Sequence, residues 1–240
     1  MVAEIPGKFR VIKRLLQFDR DSKLTNCEKG MLLDVGGINL YYDSLRQVFP
    51  EYEISLMNIS ASVIGRETNS LLGDAMKMPF SDQSWDIITS FDLIEHLTSP
   101  DRFLEEAFRV LKPNGLLIIS TPNLADAYSR ISLLLGHMPF SYVPSEYRVA
   151  TPMTSVAGPN AAHKSVFTYK GFRQLLEIHG FKSHFFSGFC YADSYEKSRW
   201  GKVEKTRIDQ IRRLIDRFLP PTMKEGMVFI ASKPSDSAGK

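Results

Sequence analysis

The chain has 240 residues, 43% of them hydrophobic and 24% charged, which is enough for one well-cored domain and excludes a disordered or low-complexity polypeptide. A formal net charge of +3 makes no electrostatic case for a nucleic-acid partner. Cys27 and Cys190 stand too far apart for a disulfide framework or a zinc-ligand pair, and no run reaches signal-peptide or membrane-spanning length, so a soluble, cytoplasmic protein without a metal site is expected.

Short apolar runs alternate with amphipathic stretches along the chain, the pattern of a mostly parallel sheet covered by helices on both faces. Residues 8–18 place Phe9, Ile12, Leu15 and Leu16 at helical spacing. Residues 31–35 (MLLDV) read as a buried strand, broken by Gly36-Gly37 before a helix over 41–48 that Pro50 closes. Further strands are predicted at 53–57 and 86–90, with a poorer one at 70–72.

Ser99-Pro100-Asp101 combines a helix cap, a proline suited to the first turn and an acid beside the positive end of the helix dipole. The helix it starts carries Phe103, Leu104, Ala107, Phe108 and Leu111 and stops at Lys112-Pro113-Asn114-Gly115, where the glycine is expected to take positive φ. Strand 116–120 (LLIIS) follows, then a possible helix over 128–135 and a long Pro-, Ser- and Ala-rich stretch to residue 166. Thr168 should cap a helix bearing Phe172, Leu175, Leu176 and His179, with Gly180 at its exit and a strand over 181–187. An amphipathic helix at 203–219, a last strand at 227–232 and a disordered tail from 233 to 240 complete the reading.

Residues 73–123 carry a resemblance. Gly73-Asp74-Ala75, Pro79-Phe80, Trp85-Asp86, Glu95-His96, the run Arg109-Val110-Leu111-Lys112-Pro113 and Thr121-Pro122-Asn123 resemble the central block of class I S-adenosylmethionine-dependent methyltransferases of the broad small-molecule type. The likeness extends more weakly over 31–188 and the final strand. It implies an α/β, Rossmann-like domain over residues 1–232, with a mostly parallel seven-stranded sheet whose last strand is antiparallel. Residues 1–28 would be a helical extension, 124–167 an acceptor-side insertion and 191–224 an added helical segment.

The resemblance also implies a site. Ligands of open α/β sheets bind at the carboxyl ends of the strands, and there it implies S-adenosylmethionine, with S-adenosylhomocysteine as product, held by Asp34, Gly36, Gly37, Asn58, Asp74, Ala75, Met76, Phe91 and Asp92. Gly36 and Gly37 would lie against the amino-acid part, unless they only make a tight turn. Asn58 stands where the family has an acid for the ribose hydroxyls. Asp74 would accept from the adenine amino group beside Ala75 and Met76, or else cap its own loop. Phe91 and Asp92 would meet the sulfonium. Family members carry Asp-x-Gly-x-Gly-x-Gly at the first loop, whereas this chain has Ile38 and Leu40 at two of the glycines, so either an adapted cofactor pocket or a binding or scaffold protein of the same fold is expected.

His96 and His163 are the candidate proton acceptors, because imidazole titrates near neutral pH. Their alternatives are a helix-start hydrogen bond and loop packing. The acceptor is expected to be a small molecule, or glycan- or lipid-like, selected by the 124–167 insertion with Tyr128, Tyr142, Tyr147 and Arg148 around the apolar run 131–135. That run is expected to cover the sheet edge in preference to touching a membrane. Helix 203–219, basic on one side and carrying Ile208, Ile211, Ile215 and Phe218 on another, leaves peripheral membrane contact as the lesser expectation.

Overall fold

The computed structural model describes residues 7–18, 29–37, 39–61, 69–139, 163–191, 211 and 214–235. Helix α1 (Gly7–Phe18) precedes β1 (Gly30–Val35), α2 (Asn39–Val48), β2 (Tyr52–Asn58), β3 (Asn69–Leu72) and β4 (Trp85–Phe91). Helix α3 (Pro100–Val110) leads into β5 (Leu111–Pro122), then α4 (Ala127–Leu134), α5 (Tyr169–Ile178), β6 (Lys182–Phe189) and β7 (Gly226–Ser232). The seven strands form one sheet in the order β3-β2-β1-β4-β5-β7-β6. β1 to β5 pair in parallel, whereas β7 runs antiparallel to both β5 and β6.

Alternating strand residues feed two cores, as the two-residue period of a strand requires. On one face Leu33, Ile88, Leu117 and Phe229 pack with Phe103, Leu104 and Ala107 of α3 and Phe172 and Leu176 of α5. On the other, Leu32, Ile54, Ile87, Ile118 and Ile230 pack with Phe9 and Ile12 of α1 and Leu45 of α2. α1 is thus built into a core, with Phe9 and Ile12 fully buried.

The expected caps form. Ser99 accepts from Arg102 N with Pro100 in the first turn, Thr168 accepts from Gly171 N, and Gly180 leaves α5 at φ +84°. Asp126 adds a cap at α4, accepting from Tyr128 N and Ser129 N.

Four details depart from the sequence reading. In the turn after α3 it is Asn114, at φ 63°, that takes the left-handed conformation, not Gly115. Asparagine tolerates that region, while a Cβ on Gly115 would come within 2.8 Å of Lys112 O. The tail expectation fails at its first residue: Lys233 is buried, and its ammonium donates to Phe108 O (2.8 Å) and Leu111 O (2.9 Å). The apolar run on α4 does not cover the sheet, since Ile131, Leu133, Leu134 and Leu135 are exposed. In the late helix Ile211, Ile215 and Phe218 are likewise exposed, and the buried residue is Asp216, 3.1 Å from Lys224 Nζ. Residues 140–162 of the insertion, with Tyr142, Tyr147 and Arg148, and most of the 203–219 helix, with Ile208, lie outside the described residues, as do Cys27, Ile38 and the side chain of Leu40. No helix among the described residues is long and apolar enough to cross a membrane.

Candidate active site

Parallel strands β1, β2, β3 and β4 present their carboxyl ends to one edge, and the residues that follow them meet there. At β1 the chain turns at Gly36, φ +79°, whose N–H donates to Met57 O of β2 (2.8 Å). Gly37 N–H donates back to Asp34 O, and a Cβ on Gly37 would lie 2.7 Å from Asp34 Oδ2 and 2.8 Å from Asp34 O. The glycine pair therefore meets a steric demand: the turn folds over the Asp34 carboxylate with no room for a side chain.

Asp34 is 1% exposed. Thr89 Oγ1 of β4 donates to its Oδ1 (2.7 Å), and Oδ2 has no hydrogen-bond partner among the described residues. Burial pushes its pKa up to about 7, against the Thr89 hydrogen bond and the Lys8 charge.

Asn58 ends β2. Its Nδ2 donates to Gly37 O (3.1 Å) and its Oδ1 accepts from Ser60 N (3.0 Å), so the amide ties the first loop to the second. After β3, Asp74 Oδ1 accepts from Met76 N (2.9 Å) and its carbonyl from Lys77 N (3.0 Å); the aspartate does cap its own turn, setting Ala75 inward and Met76 half-buried. Arg109 of α3 locks this loop from beneath, donating to Phe80 O (2.8 Å), Met78 O (3.1 Å), Asp82 (2.7 Å) and Glu106 (2.8 Å). Glu106 in turn accepts from Met78 N (2.7 Å). Arg109 enters the sequence reading only within a motif, and its positioning role emerges from these contacts.

Phe91 closes β4 inside an aromatic group, its ring centroid 5.0 Å from Phe9 and 6.1 Å from Tyr41. Asp92 follows in the left-handed region, φ 51°. Its carboxylate pairs with the ammonium of Lys8 from α1 and accepts from Ser120 Oγ (2.9 Å) and Tyr191 OH (3.2 Å). Burial works against the charge on Asp92, but Lys8 and these hydrogen bonds hold its pKa below the ordinary carboxylate value. Burial works against Lys8 too, and Asp92 and Tyr41 still leave it above the ordinary lysine value. The ammonium faces the rings of Tyr41 (4.7 Å), Phe91 and Phe189 (5.7 Å each), a cage suited to a cation. The sequence reading missed Lys8; its signal is a charge one turn before Ile12 on the apolar stripe of α1.

One turn of 3-10 helix, Ile94–His96, follows. Glu95 is 1% exposed. Thr121 Oγ1 donates to its Oε2 (2.9 Å), Oε1 has no partner among the described residues, and burial with the nearby Asp92 charge pushes its pKa up to about 8. Its carbonyl accepts from Lys164 N (2.7 Å) and Ser165 N (3.1 Å). That pairing brings His163 to His96, their ring centroids 4.8 Å apart. The two candidate histidines, distant in sequence, thus stand together. Elsewhere, His179 pairs with Asp101 and His184 with Ser232.

The strand order, the antiparallel seventh strand and a site at the carboxyl ends of β1 to β4 define a class I methyltransferase-type fold. Residues 33–119 match the family described as "Methyltransferase domain". A "Probable S-adenosylmethionine-dependent methyltransferase" of Mycolicibacterium smegmatis is 43% identical over 51 residues, 21% of this chain and 20% of that protein. The ubiquinone/menaquinone biosynthesis C-methyltransferase UbiE of Dinoroseobacter shibae is 31% identical over 140 residues, 50% of this chain and 53% of that protein. These matches therefore span about half or less of the relatives' own lengths. A SAM-dependent methyltransferase from Archaeoglobus fulgidus superposes with a TM-score of 0.55 at 17% identity, covering 94% of each chain, a likeness of fold.

Proposed function

We propose that this protein transfers a methyl group from S-adenosylmethionine to a small-molecule or glycan- or lipid-like acceptor. The observation that carries the reading is the convergence of Asp34, the Gly36-Gly37 turn, Asn58, the Asp74–Met76 loop and Phe91 at the ends of four adjacent parallel strands. The glycine turn puts no side chain between its backbone and the amino-acid part of the cofactor. Asp74 keeps Oδ2 for the adenine amino group while Oδ1 caps the loop.

Methyl transfer asks for in-line approach and little covalent help, so positioning supplies much of the rate. His96 and His163 are the groups on the acceptor side. Leu124 N–H donates to Phe167 O (2.8 Å), so the chain entering α4 runs beside the segment that bears His163. The exposed Ile131, Leu133, Leu134 and Leu135 of α4 favour an acceptor with an apolar portion.

Calorimetry with S-adenosylhomocysteine tests the reading. Binding is expected, weakened about tenfold in Asp74→Ala and weakened also in Asp74→Asn, which retains the capping oxygen but turns an amide N–H toward the adenine amino group. No heat at high ligand concentration would overturn it and leave the scaffold role.

A further inference from the structure

We propose that Glu95, His96 and His163 hold a divalent first-row metal ion at the acceptor side of the site. One ligand atom from each of the three lies within 4.8 Å of those of the other two. Ligands at about 2.0–2.2 Å from an ion stand roughly 3 Å apart when adjacent and about 4 Å when opposite, so closure asks for small side-chain movements. Two imidazoles and one carboxylate are a donor set for manganese, iron, cobalt or zinc, and leave coordination positions open.

A second observation points to a ligand independently. Glu95 Oε1 is buried with no hydrogen-bond partner among the described residues, while Oε2 is oriented by Thr121. A buried carboxylate oxygen without a partner is costly, and a carboxylate fixed through its other oxygen is the usual outer support of a metal ligand. The fold preserves the arrangement through the two backbone hydrogen bonds from Lys164 and Ser165 to Glu95 O, which bind the His163 segment to the Glu95-His96 turn. Both histidines are half-buried, so the ion would sit at the wall of the site with positions facing the acceptor.

The consequence for the acceptor rests on the methyltransferase reading above; binding of the ion does not. An acceptor hydroxyl coordinated to the ion becomes more acidic and releases its proton to solvent. Its oxygen then forms the bond to the methyl carbon as the carbon–sulfur bond breaks, the electron pair staying on sulfur and turning the sulfonium into a neutral thioether. The preferred acceptor class is a hydroxyl compound, best with a second oxygen on the neighbouring carbon to occupy another open position. His96 and His163 then act as ligands in place of a free base.

The test is titration of chelator-treated, purified full-length protein with Co²⁺ alone, followed by visible absorption. Ligand-field bands saturating at one ion per chain are expected, with affinity at least about tenfold weaker in Glu95→Gln and in His163→Ala. Thermal melts establish that each variant is folded, and His96→Gln serves in the same way should either variant fail to fold. Absence of bands in the parent protein, or equal affinity in folded variants, overturns the proposal. Because the readout contains no cofactor, its failure is distinguishable from failure to bind S-adenosylhomocysteine.

Discussion

Lys8 of α1 and Asp92 at the end of β4 form an ion pair across 84 positions of sequence, with the lysine side chain 1% exposed. The first helix is thereby pinned to the edge of the sheet where the residues that follow β1 to β4 gather. Removing one member of such a pair leaves a buried charge short of its partner, which costs about 3–5 kcal/mol. Lys8→Met should therefore lower the unfolding free energy measured in urea by about 3–5 kcal/mol. Adding Asp92→Asn to it should recover part of the loss, giving a non-additive double-mutant cycle. Additive effects would show that Ser120 and Tyr191 alone satisfy Asp92.

Asp34 makes stability fall as pH rises. Its carboxyl titrates near 3.8 when unfolded and at about 7 in the folded protein, so between these values the unfolded chain releases a proton that the folded one keeps. The stabilising contribution is complete below pH 3.8 and is lost as pH climbs through 7. Asp34→Asn keeps an oxygen for Thr89 and removes the titration, so its melting temperature should gain on the parent's from pH 5 to pH 7 and then level off. A constant difference across that range would contradict the shift.

Gly37→Ala places a methyl group 2.7 Å from Asp34 Oδ2 and 2.8 Å from Asp34 O. Backbone cannot yield cheaply at that distance, so the turn must open. Affinity for S-adenosylhomocysteine is expected to drop by about tenfold or more, a loss of at least about 1.4 kcal/mol. Unchanged calorimetric binding would mean that the turn does not face the cofactor.

Arg109→Lys tests the support of the Asp74 loop. The guanidinium serves Phe80 O, Met78 O, Asp82 and Glu106 together, a fan of acceptors that an ammonium cannot reach with one geometry. Stability should fall by about 1–2 kcal/mol in urea unfolding, with amide exchange around Met78 and Phe80 accelerating. Exchange that speeds equally across the whole domain would instead mark a general loss of stability.

Much of the strand-end cluster was legible in the sequence because its residues follow strands whose apolar runs are unmistakable: Asp34 and Gly36 after LLDV, Asn58 after EISLM, Asp74 after the third strand. Helix starts at Ser99 and Thr168 were legible for the same local reason, a side-chain oxygen placed to accept from the first turn. The histidine pair was not. His96 and His163 could be named one by one, but nothing local joins them, and Glu95 passed as part of a motif. Lys8 was hidden by the habit of reading a lysine on a helix as solvated. The exposed face of α4 was misjudged because an apolar run does not say whether the fold has surface left to cover it.

Local periodicity, capping chemistry and turn residues by themselves determined the strand and helix succession, and with it the edge where a ligand would sit. Tertiary structure alone decided which charges are buried and with what partner, through contacts between residues far apart in the chain. Lys8 reaches Asp92 because α1 packs on the same core as β4. His163 reaches His96 because two backbone N–H groups find the carbonyl of Glu95. Buried polar atoms must find partners wherever packing brings them, and a linear chain does not encode that geometry at either end of the contact.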